Sequence, residues 1–166
     1  MTKNYDKMGF TTKAIHGGHC KNSAGALVTP IYQASTFVFE SAQQGARRFA
    51  LEEEGYIYTR LGNPNAAELE RKVALLEGGE AALATGSGMG AITSALWTAL
   101  EPGDHVVAGQ ALYGCTFAFL SHGASKYGIE TTFVDVSDLE AVRRALRPNT
   151  KVVYLESPAN PTMTIA

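Results

Sequence analysis

Residues 105–156 read "HVVAGQALYGCTFAFLSHGASKYGIETTFVDVSDLEAVRRALRPNTKVVYLE" and alternate short apolar segments with longer segments of helical character. The apolar segments "HVVAG" at 105–109, "IETTFVDV" at 129–136 and "KVVYLE" at 151–156 each predict a strand. The last of these, a nearly continuous apolar run, is typical of a strand that is covered on both faces of a parallel sheet. Strand and helix alternation favours the same architecture, with right-handed crossovers between the strands.

The segments between these strands predict helices. Residues 113–128 form the first, and residues 137–146 form the second, for which Ser137 and Glu140 predict a capping box. We therefore predict an α/β fold with a mostly parallel sheet and helices on both faces. Because ligands of such sheets bind at the carboxyl ends of the strands, the loops that follow the strands are the first place to look for a site.

The alternation extends upstream to residue 63. In "NPNAAELERKVALLEGG", Asn63 predicts a helix cap, Pro64 suits the first turn and Gly78 ends the helix. Residues 81–85, "AALAT", predict a further short strand, and residues 87–100, "SGMGAITSALWTAL", predict another helix. Residues 1–60 contain few periodic elements and many turn residues, and so predict an extended arm that packs on another surface.

Composition and charge exclude several classes of protein. The chain has 166 residues, with 14 Lys and Arg against 16 Asp and Glu, so it resembles an ordinary soluble domain rather than a nucleic-acid-binding or membrane-surface protein. The start "MTKNYDKMGF" lacks the apolar core of a secretion signal, and no apolar run of membrane-spanning length occurs, which favours the cytoplasm. Cys20 and Cys115 predict free thiols, and the four histidines lack the spacing of a metal site.

The stretch "ATGSGMGA" at 84–91 consists mainly of small residues. Gly86, Gly88 and Ala91 match the dinucleotide-binding pattern G-x-G-x-x-G/A, but that pattern requires an acidic residue after the next strand, where Gly109 and Gln110 stand instead. The phosphate-binding part of the motif does not depend on that acidic residue. Uncrowded N–H groups at a helix N-terminus predict a site for one phosphate group.

Three further loops carry polar or reactive side chains. Tyr58 and Arg60 lie two apart in "YTRLGNP", so in an extended segment both would face the same way and could contact a phosphate. The other two loops follow predicted strands, "ALYGCTFAF" and "ESPANP", and their candidate residues are Tyr113, Cys115, Glu156 and Asn160.

These motifs together resemble the Cys/Met metabolism family of pyridoxal-phosphate enzymes. The resemblance rests on "GALVTPIYQASTF", "YTRLGNP", "LEGGEAALATGSGMGAI", "GDHVVAGQALYGCT" and "TKVVYLESPANP", in this order along nearly the whole chain. It implies an aspartate-aminotransferase-like fold with pyridoxal 5'-phosphate bound at a dimer interface. Residues 1–60 would be the arm that packs on the partner subunit, and residues 61–166 the first part of the cofactor-binding large domain.

The resemblance also implies roles for the cofactor-binding residues. Gly88 and Met89 would donate backbone N–H groups to the cofactor phosphate, with Ser87 beside them. Tyr58 and Arg60 would reach the same phosphate from the partner subunit.

Three residues at the strand ends would complete the site. Tyr113 would lie against the pyridine ring and transfer protons, including one to the departing sulfur. Asn160 would lie near the ring hydroxyl or the substrate carboxylate, while Glu156 is open between a direct and a supporting role. Cys115, in "LYGCT", resembles the members of the family that act on L-methionine and would line the pocket for the sulfur end of the substrate.

The implied reaction is the α,γ-elimination of L-methionine to methanethiol, 2-oxobutanoate and ammonia. Cystathionine γ-lyase, cystathionine γ-synthase and O-acetylhomoserine sulfhydrylase activities stay open as alternatives. The implied assembly is a homodimer, or a homotetramer built as a dimer of dimers, with a small amino acid as substrate and no nucleic acid, membrane or metal.

The 166 residues depart from the family pattern in one respect. The lysine that holds the cofactor and the aspartate that pairs with its pyridine nitrogen belong to later strands, and none of the lysines present, Lys3 to Lys151, stands at a comparable place. We therefore expect these residues to be the N-terminal part of the enzyme and to be inactive by themselves. A non-catalytic fragment that dimerises or binds phosphate, and a dinucleotide-binding domain, are the alternatives from other classes.

Overall fold

The computed structural model describes residue 5 and residues 7–166, which form two compact units, one ending at Ala84 and the other beginning at Thr85. The first positions of the predicted arm, 1–4 and 6, and with them Lys3, lie outside the described residues.

The described residues of the first unit, residue 5 and residues 7–84, form three helices and one short antiparallel contact. The helices are α1 (Phe10–His16), α2 (Ala42–Phe49) and α3 (Pro64–Glu77). Helix α1 packs on α3. The antiparallel contact joins residues 35–37 to residues 57–59 through a bridge between Thr36 and Tyr58.

The ends of α3 follow the sequence prediction. The Asn63 side chain accepts the Asn65 N–H at 2.9 Å, Pro64 occupies the first turn, and Gly78 adopts the left-handed conformation with φ of 67°. Glycine is favoured at this position because a side chain would be strained there. The predicted cap, start and end of this helix are therefore confirmed.

The first unit leaves large apolar side chains in solvent. Among the described residues, every hydrophobic side chain that is fully buried belongs to the second unit. In the first unit Val38 and Leu51 are each 91% exposed and Ile31 is 88% exposed. A folded segment that exposes this much apolar surface has the character of an interaction surface.

The second unit is built on three parallel strands in the order β2-β1-β3. The strands are β1 (His105–Gly109), β2 (Glu130–Val134) and β3 (Thr150–Tyr154). Strand β1 is central and buried along its whole length, with Val106 paired to Thr131 on one side and to Val152 on the other. The parallel sheet and its three strands confirm the prediction from residues 105–156.

Helices connect these strands. Helix α4 (Gly88–Ala99) precedes β1, helix α5 (Gly114–Ala118) continues through a π turn to Gly123 and a 3-10 turn to Tyr127, and α6 (Leu139–Ala145) precedes β3. One face of the sheet packs against α4 and the segment after α5, and its buried side chains include Leu96, Val106, Ala108, Leu120 and Ile129. This core fixes the start of α4 and α5 relative to the sheet.

Two local predictions were wrong. Residues 81–85 form no strand: Leu83 is exposed, and the Ala84 N–H donates to the Glu70 carboxylate at 2.9 Å instead of to a neighbouring strand. Ser137 does not cap α6, because its hydroxyl and its N–H both bond to Asp135 at 2.6 and 2.9 Å. Asp138 caps the helix by accepting the N–H groups of the next turn.

His105 is fully buried in the centre of the sheet. Its two ring nitrogens lie 2.8 Å from the hydroxyl oxygens of Thr150 and Thr132, one on each neighbouring strand. Burial lowers the pKa of His105 below its ordinary value, and the positive charge of Arg147 lowers it further, while Glu130 opposes this. The histidine is therefore a neutral cross-link of the sheet.

The buried histidine makes stability depend on pH. The unfolded chain takes up a proton at an ordinary histidine pKa of about 6.5, whereas the folded chain does so only at lower pH, so the free energy of unfolding falls as pH drops below that value. We expect urea denaturation to show this loss between about pH 7.5 and about pH 5.5. In His105→Gln the loss should be smaller; equal slopes in both proteins would contradict the assignment.

Candidate functional site

The site lies at the carboxyl edge of the sheet, where β1 has β2 on one side and β3 on the other. The chain leaves β1 towards α5 and leaves β3 into the loop at 155–161. The two loops are joined, because the Tyr113 N–H donates to the Glu156 carboxylate at 2.8 Å. In sheets of this kind, ligands bind in the crevice between strands whose connections diverge.

The glycine-rich turn leads directly into α4. The Ser87 hydroxyl accepts the Gly90 N–H at 2.9 Å and so caps the helix, while the Thr85 hydroxyl donates to the Ser87 carbonyl oxygen at 2.7 Å. The N–H groups of Gly88 and Met89 belong to the first turn and have no acceptor within the helix. Two backbone donors and the positive end of the helix therefore remain for an anion.

The backbone conformation does not require glycine at position 86 or at position 88. Neither has the positive φ that favours glycine, and a Cβ atom added to either would find no other atom within 4 Å. The missing side chains therefore leave open space at the turn that begins α4. This space is what a phosphate needs to reach the backbone, so the residues present fit the phosphate of pyridoxal phosphate.

Tyr113 and Cys115 lie together at the start of α5. Tyr113 is 41% exposed, and Cys115 is an exposed free thiol. Hydrogen bonding to the Cys115 sulfur, followed by the charge of that sulfur, raises the pKa of the Tyr113 phenol above its ordinary value. A tyrosine phenol keeps its proton at neutral pH even at its ordinary pKa of about 10, so Tyr113 can act as an acid.

Glu156 holds the strand ends together from the other side. One carboxylate oxygen accepts the Tyr113 N–H, and the second accepts the Tyr154 hydroxyl at 3.2 Å. Burial, followed by the charge of Glu156, raises the pKa of Tyr154, which therefore remains a donor. Thr116, fully buried beside them, donates to the Met89 sulfur at 3.7 Å.

The contact between Thr116 and Met89 connects the start of α4 to α5. Sequence reasoning missed Tyr154 and Thr116, whose importance depends on contacts between separate segments. The signal available was that Tyr154 ends a strand two residues before Glu156, so that both fall at the candidate edge of the sheet.

Asn160 lies in the loop after β3 with its side chain exposed. The loop is anchored by the buried neighbour Ala159, whose N–H donates to the Thr164 carbonyl oxygen at 2.9 Å. The structure thus places Asn160 at the same strand edge as Glu156.

Tyr58 and Arg60 belong to the first unit. Both are exposed, and the guanidinium carbon of Arg60 lies 5.6 Å from the centroid of the Tyr58 ring, a cation–π distance. They border an apolar groove of about 500 Å³ that also includes Phe39 and Phe49. The two side chains therefore form one exposed pair.

Two other kinds of site do not occur in the described part of the chain. Among residue 5 and residues 7–166, no three His, Cys, Asp or Glu side chains converge as metal ligands would. The helices formed by these residues are also too short or too polar to cross a membrane.

Comparison with known proteins identifies the family. Residues 11–166 match the family described as Cys/Met metabolism PLP-dependent enzyme. The chain is 62% identical over 161 residues to the L-methionine gamma-lyase of Treponema denticola, covering 97% of this chain and 40% of that protein. The corresponding enzyme of Porphyromonas gingivalis is 64% identical over 157 residues, covering 95% and 39%.

Solved structures agree with this fold. A Campylobacter jejuni protein whose crystal structure contains N'-pyridoxyl-lysine-5'-monophosphate superposes with a TM-score of 0.89 at 36% identity, covering 96% of this chain and 39% of that one. The cystathionine gamma-lyase of Lactobacillus plantarum gives a TM-score of 0.83 at 39% identity, with coverage of 96% and 39%. The chain spans about 40% of the length of the curated relatives named above. It belongs to the Cys/Met metabolism family of PLP-dependent enzymes.

Proposed function

We propose that the complete protein is a carbon–sulfur lyase that converts L-methionine to methanethiol, 2-oxobutanoate and ammonia. The observation that carries the proposal is the Tyr113–Cys115 pair at the start of α5, an exposed phenol and an exposed thiol two residues apart at the carboxyl edge of the sheet. The identity of 62% to 64% to two L-methionine gamma-lyases supports it, against 41% to an O-acetyl-L-homoserine sulfhydrylase of Corynebacterium glutamicum.

The cofactor would be held by the residues of the candidate site. The N–H groups of Gly88 and Met89, next to the capping residue Ser87, would bind its phosphate. Tyr113 would lie against its ring, and Asn160 near the ring hydroxyl. When bound, pyridoxal phosphate supplies an electron sink that stabilises negative charge on the substrate carbons.

The Tyr113 phenol would transfer the protons that the elimination requires. A phenol is protonated at neutral pH, so it can donate a proton to the sulfur as methanethiol leaves the γ carbon. Cys115, two residues after Tyr113, would line the pocket around the methylthio group. Cys115 has no nucleophilic role in this proposal.

The exposed first unit would complete the site in an oligomer. Its uncovered apolar side chains and the exposed Tyr58–Arg60 pair are what a segment that packs on a partner subunit would present. We therefore place Tyr58 and Arg60 at the phosphate of the neighbouring subunit in a homodimer, which two such dimers would extend to a homotetramer. The enzyme would act in the cytoplasm.

Product analysis tests this function. The complete protein, loaded with pyridoxal phosphate, should release methanethiol and 2-oxobutanoate in equal amounts from L-methionine. Preferential cleavage of cystathionine, or synthesis from O-acetylhomoserine and sulfide, with no methanethiol from L-methionine, would replace the proposal by one of the related activities. Absence of every such reaction would favour a non-catalytic role.

A substitution at Cys115 tests the substrate assignment. In the complete enzyme, Cys115→Gly should reduce kcat/KM for L-methionine relative to a cysteine S-conjugate by roughly 10- to 200-fold, the range for one contact in a specificity pocket. The shorter substrate does not extend its sulfur as far, so its β-elimination should change less. Steady-state kinetics with both substrates measure the ratio.

The control for this prediction is the same substitution at the other cysteine. Cys20 contacts Arg71 and the Pro64 carbonyl oxygen in the first unit. Cys20→Gly should leave the ratio of the two kcat/KM values unchanged. An unchanged ratio in Cys115→Gly would show that Cys115 only fills space and does not set the substrate preference.

A further inference from the structure

We propose that Glu156 is a positioning residue, which holds the Tyr113 loop so that the phenol and the Cys115 thiol face the substrate. The proposal rests on the proposed function, since Tyr113 is taken there as the proton donor. The hydrogen bonds of Glu156 go to Tyr113 and Tyr154 rather than to the glycine-rich turn, and in our proposal it does not contact the substrate. Its action would pass through the backbone of Tyr113.

The proposed role depends on one hydrogen bond of the Tyr113 backbone N–H group. Tyr113 immediately precedes α5, and no side chain caps that helix. Its N–H donates across the sheet edge to Glu156, 43 positions later in the chain, at 2.8 Å. This bond joins the loop after β1 to the loop after β3, so it sets where α5 begins relative to the sheet.

The carboxylate is itself held in place. Its other oxygen accepts the hydroxyl of Tyr154, which is half-buried and whose raised pKa keeps it a donor. A fixed carboxylate with two donors thus defines the position of the Tyr113 amide more closely than the exposed loop could alone.

The length of the side chain, rather than its charge, is the property that matters. A glutamine at this position would keep an oxygen within reach of the Tyr113 N–H, so Glu156→Gln should retain kcat within about 5-fold of the wild-type enzyme. Glu156→Asp keeps the charge but withdraws the acceptor by one methylene group. We expect it to lower kcat roughly 10- to 100-fold, the scale on which misplacing a catalytic group by about 1 Å reduces rate.

The experiment combines kinetics with hydrogen exchange on the complete holoenzyme. Besides the two single variants, Glu156→Asp is combined with Tyr113→Phe. If Glu156 acts through Tyr113, the double variant should be scarcely slower than Tyr113→Phe alone, because neighbouring residues that act as a unit are not additive. Amide exchange in the peptide containing Tyr113 should be faster in Glu156→Asp and near wild type in Glu156→Gln.

The outcomes separate this proposal from the proposed function. Additive losses in the double variant, or a Glu156→Asp enzyme with normal kcat and normal exchange, would overturn the positioning role. A slow Glu156→Gln enzyme beside a normal Glu156→Asp enzyme would do the same by showing that charge matters. If the wild-type enzyme released no methanethiol, the proposed function would fail, while the exchange pattern would still decide whether Glu156 holds the loop.

Discussion

Gly88→Asp in the complete protein is expected to weaken binding of pyridoxal phosphate by at least about 100-fold, because juxtaposed like charges cost several kcal/mol. The same change should not harm the fold. A Cβ atom at Gly88 meets no neighbour within 4 Å, and aspartate in the first turn of a helix is favourable to the helix dipole. The measurement is the cofactor retained after desalting, together with the free energy of unfolding.

Gly79→Asp is the matched control for this substitution. Gly79 also lacks a positive φ, and its added Cβ would make only ordinary contacts, the nearest at 3.6 Å. It follows the end of α3 and is not part of the turn that begins α4, so cofactor retention should stay normal. Normal cofactor retention in Gly88→Asp as well would show that the phosphate binds elsewhere.

Tyr113→Phe should lower kcat for methanethiol release by roughly 10²- to 10⁴-fold, the usual contribution of a positioned general acid or base. The aromatic ring remains, so cofactor retention should change little. Because the phenol is protonated at neutral pH, its loss removes the donor for the departing sulfur. Steady-state kinetics and cofactor content of the same preparation give both quantities.

Tyr127→Phe provides the comparison for Tyr113→Phe. Tyr127 is 62% exposed and packs edge-on against Trp97, with a centroid distance of 5.2 Å, so it loses only a surface hydroxyl. Its kcat should equal that of the wild type. If Tyr113→Phe were as fast as Tyr127→Phe, another group would have to be the proton donor.

The fold could be predicted where local sequence and burial act together. Strand β1 is apolar because it is buried at the centre of the sheet, and α3 carries its start and end signals in Asn63 and Gly78. Residues 81–85 have a similar apolar pattern, but no strand bonds to them. Ser137 is a residue type that commonly caps helices, but its hydroxyl donates a hydrogen bond to Asp135 instead.

The candidate site was accessible from sequence only where a motif keeps its parts close together. The turn with Gly88 and the pair Tyr113 and Cys115 are local features. The contact between Tyr113 and Glu156 joins residues 43 positions apart. Thr116 likewise gains its contact with Met89 only after α4 and α5 have packed on the sheet.

Subunit mixing tests most directly the claim that two chains build each phosphate site. Gly88→Asp and Arg60→Ala homo-oligomers of the complete protein should each be nearly inactive, since each loses one half of every site. After subunit exchange, each mixed dimer would contain one intact site, so methanethiol release should recover to about a quarter of the wild-type rate. No recovery in a mixture that native mass spectrometry shows to have exchanged would contradict the shared site.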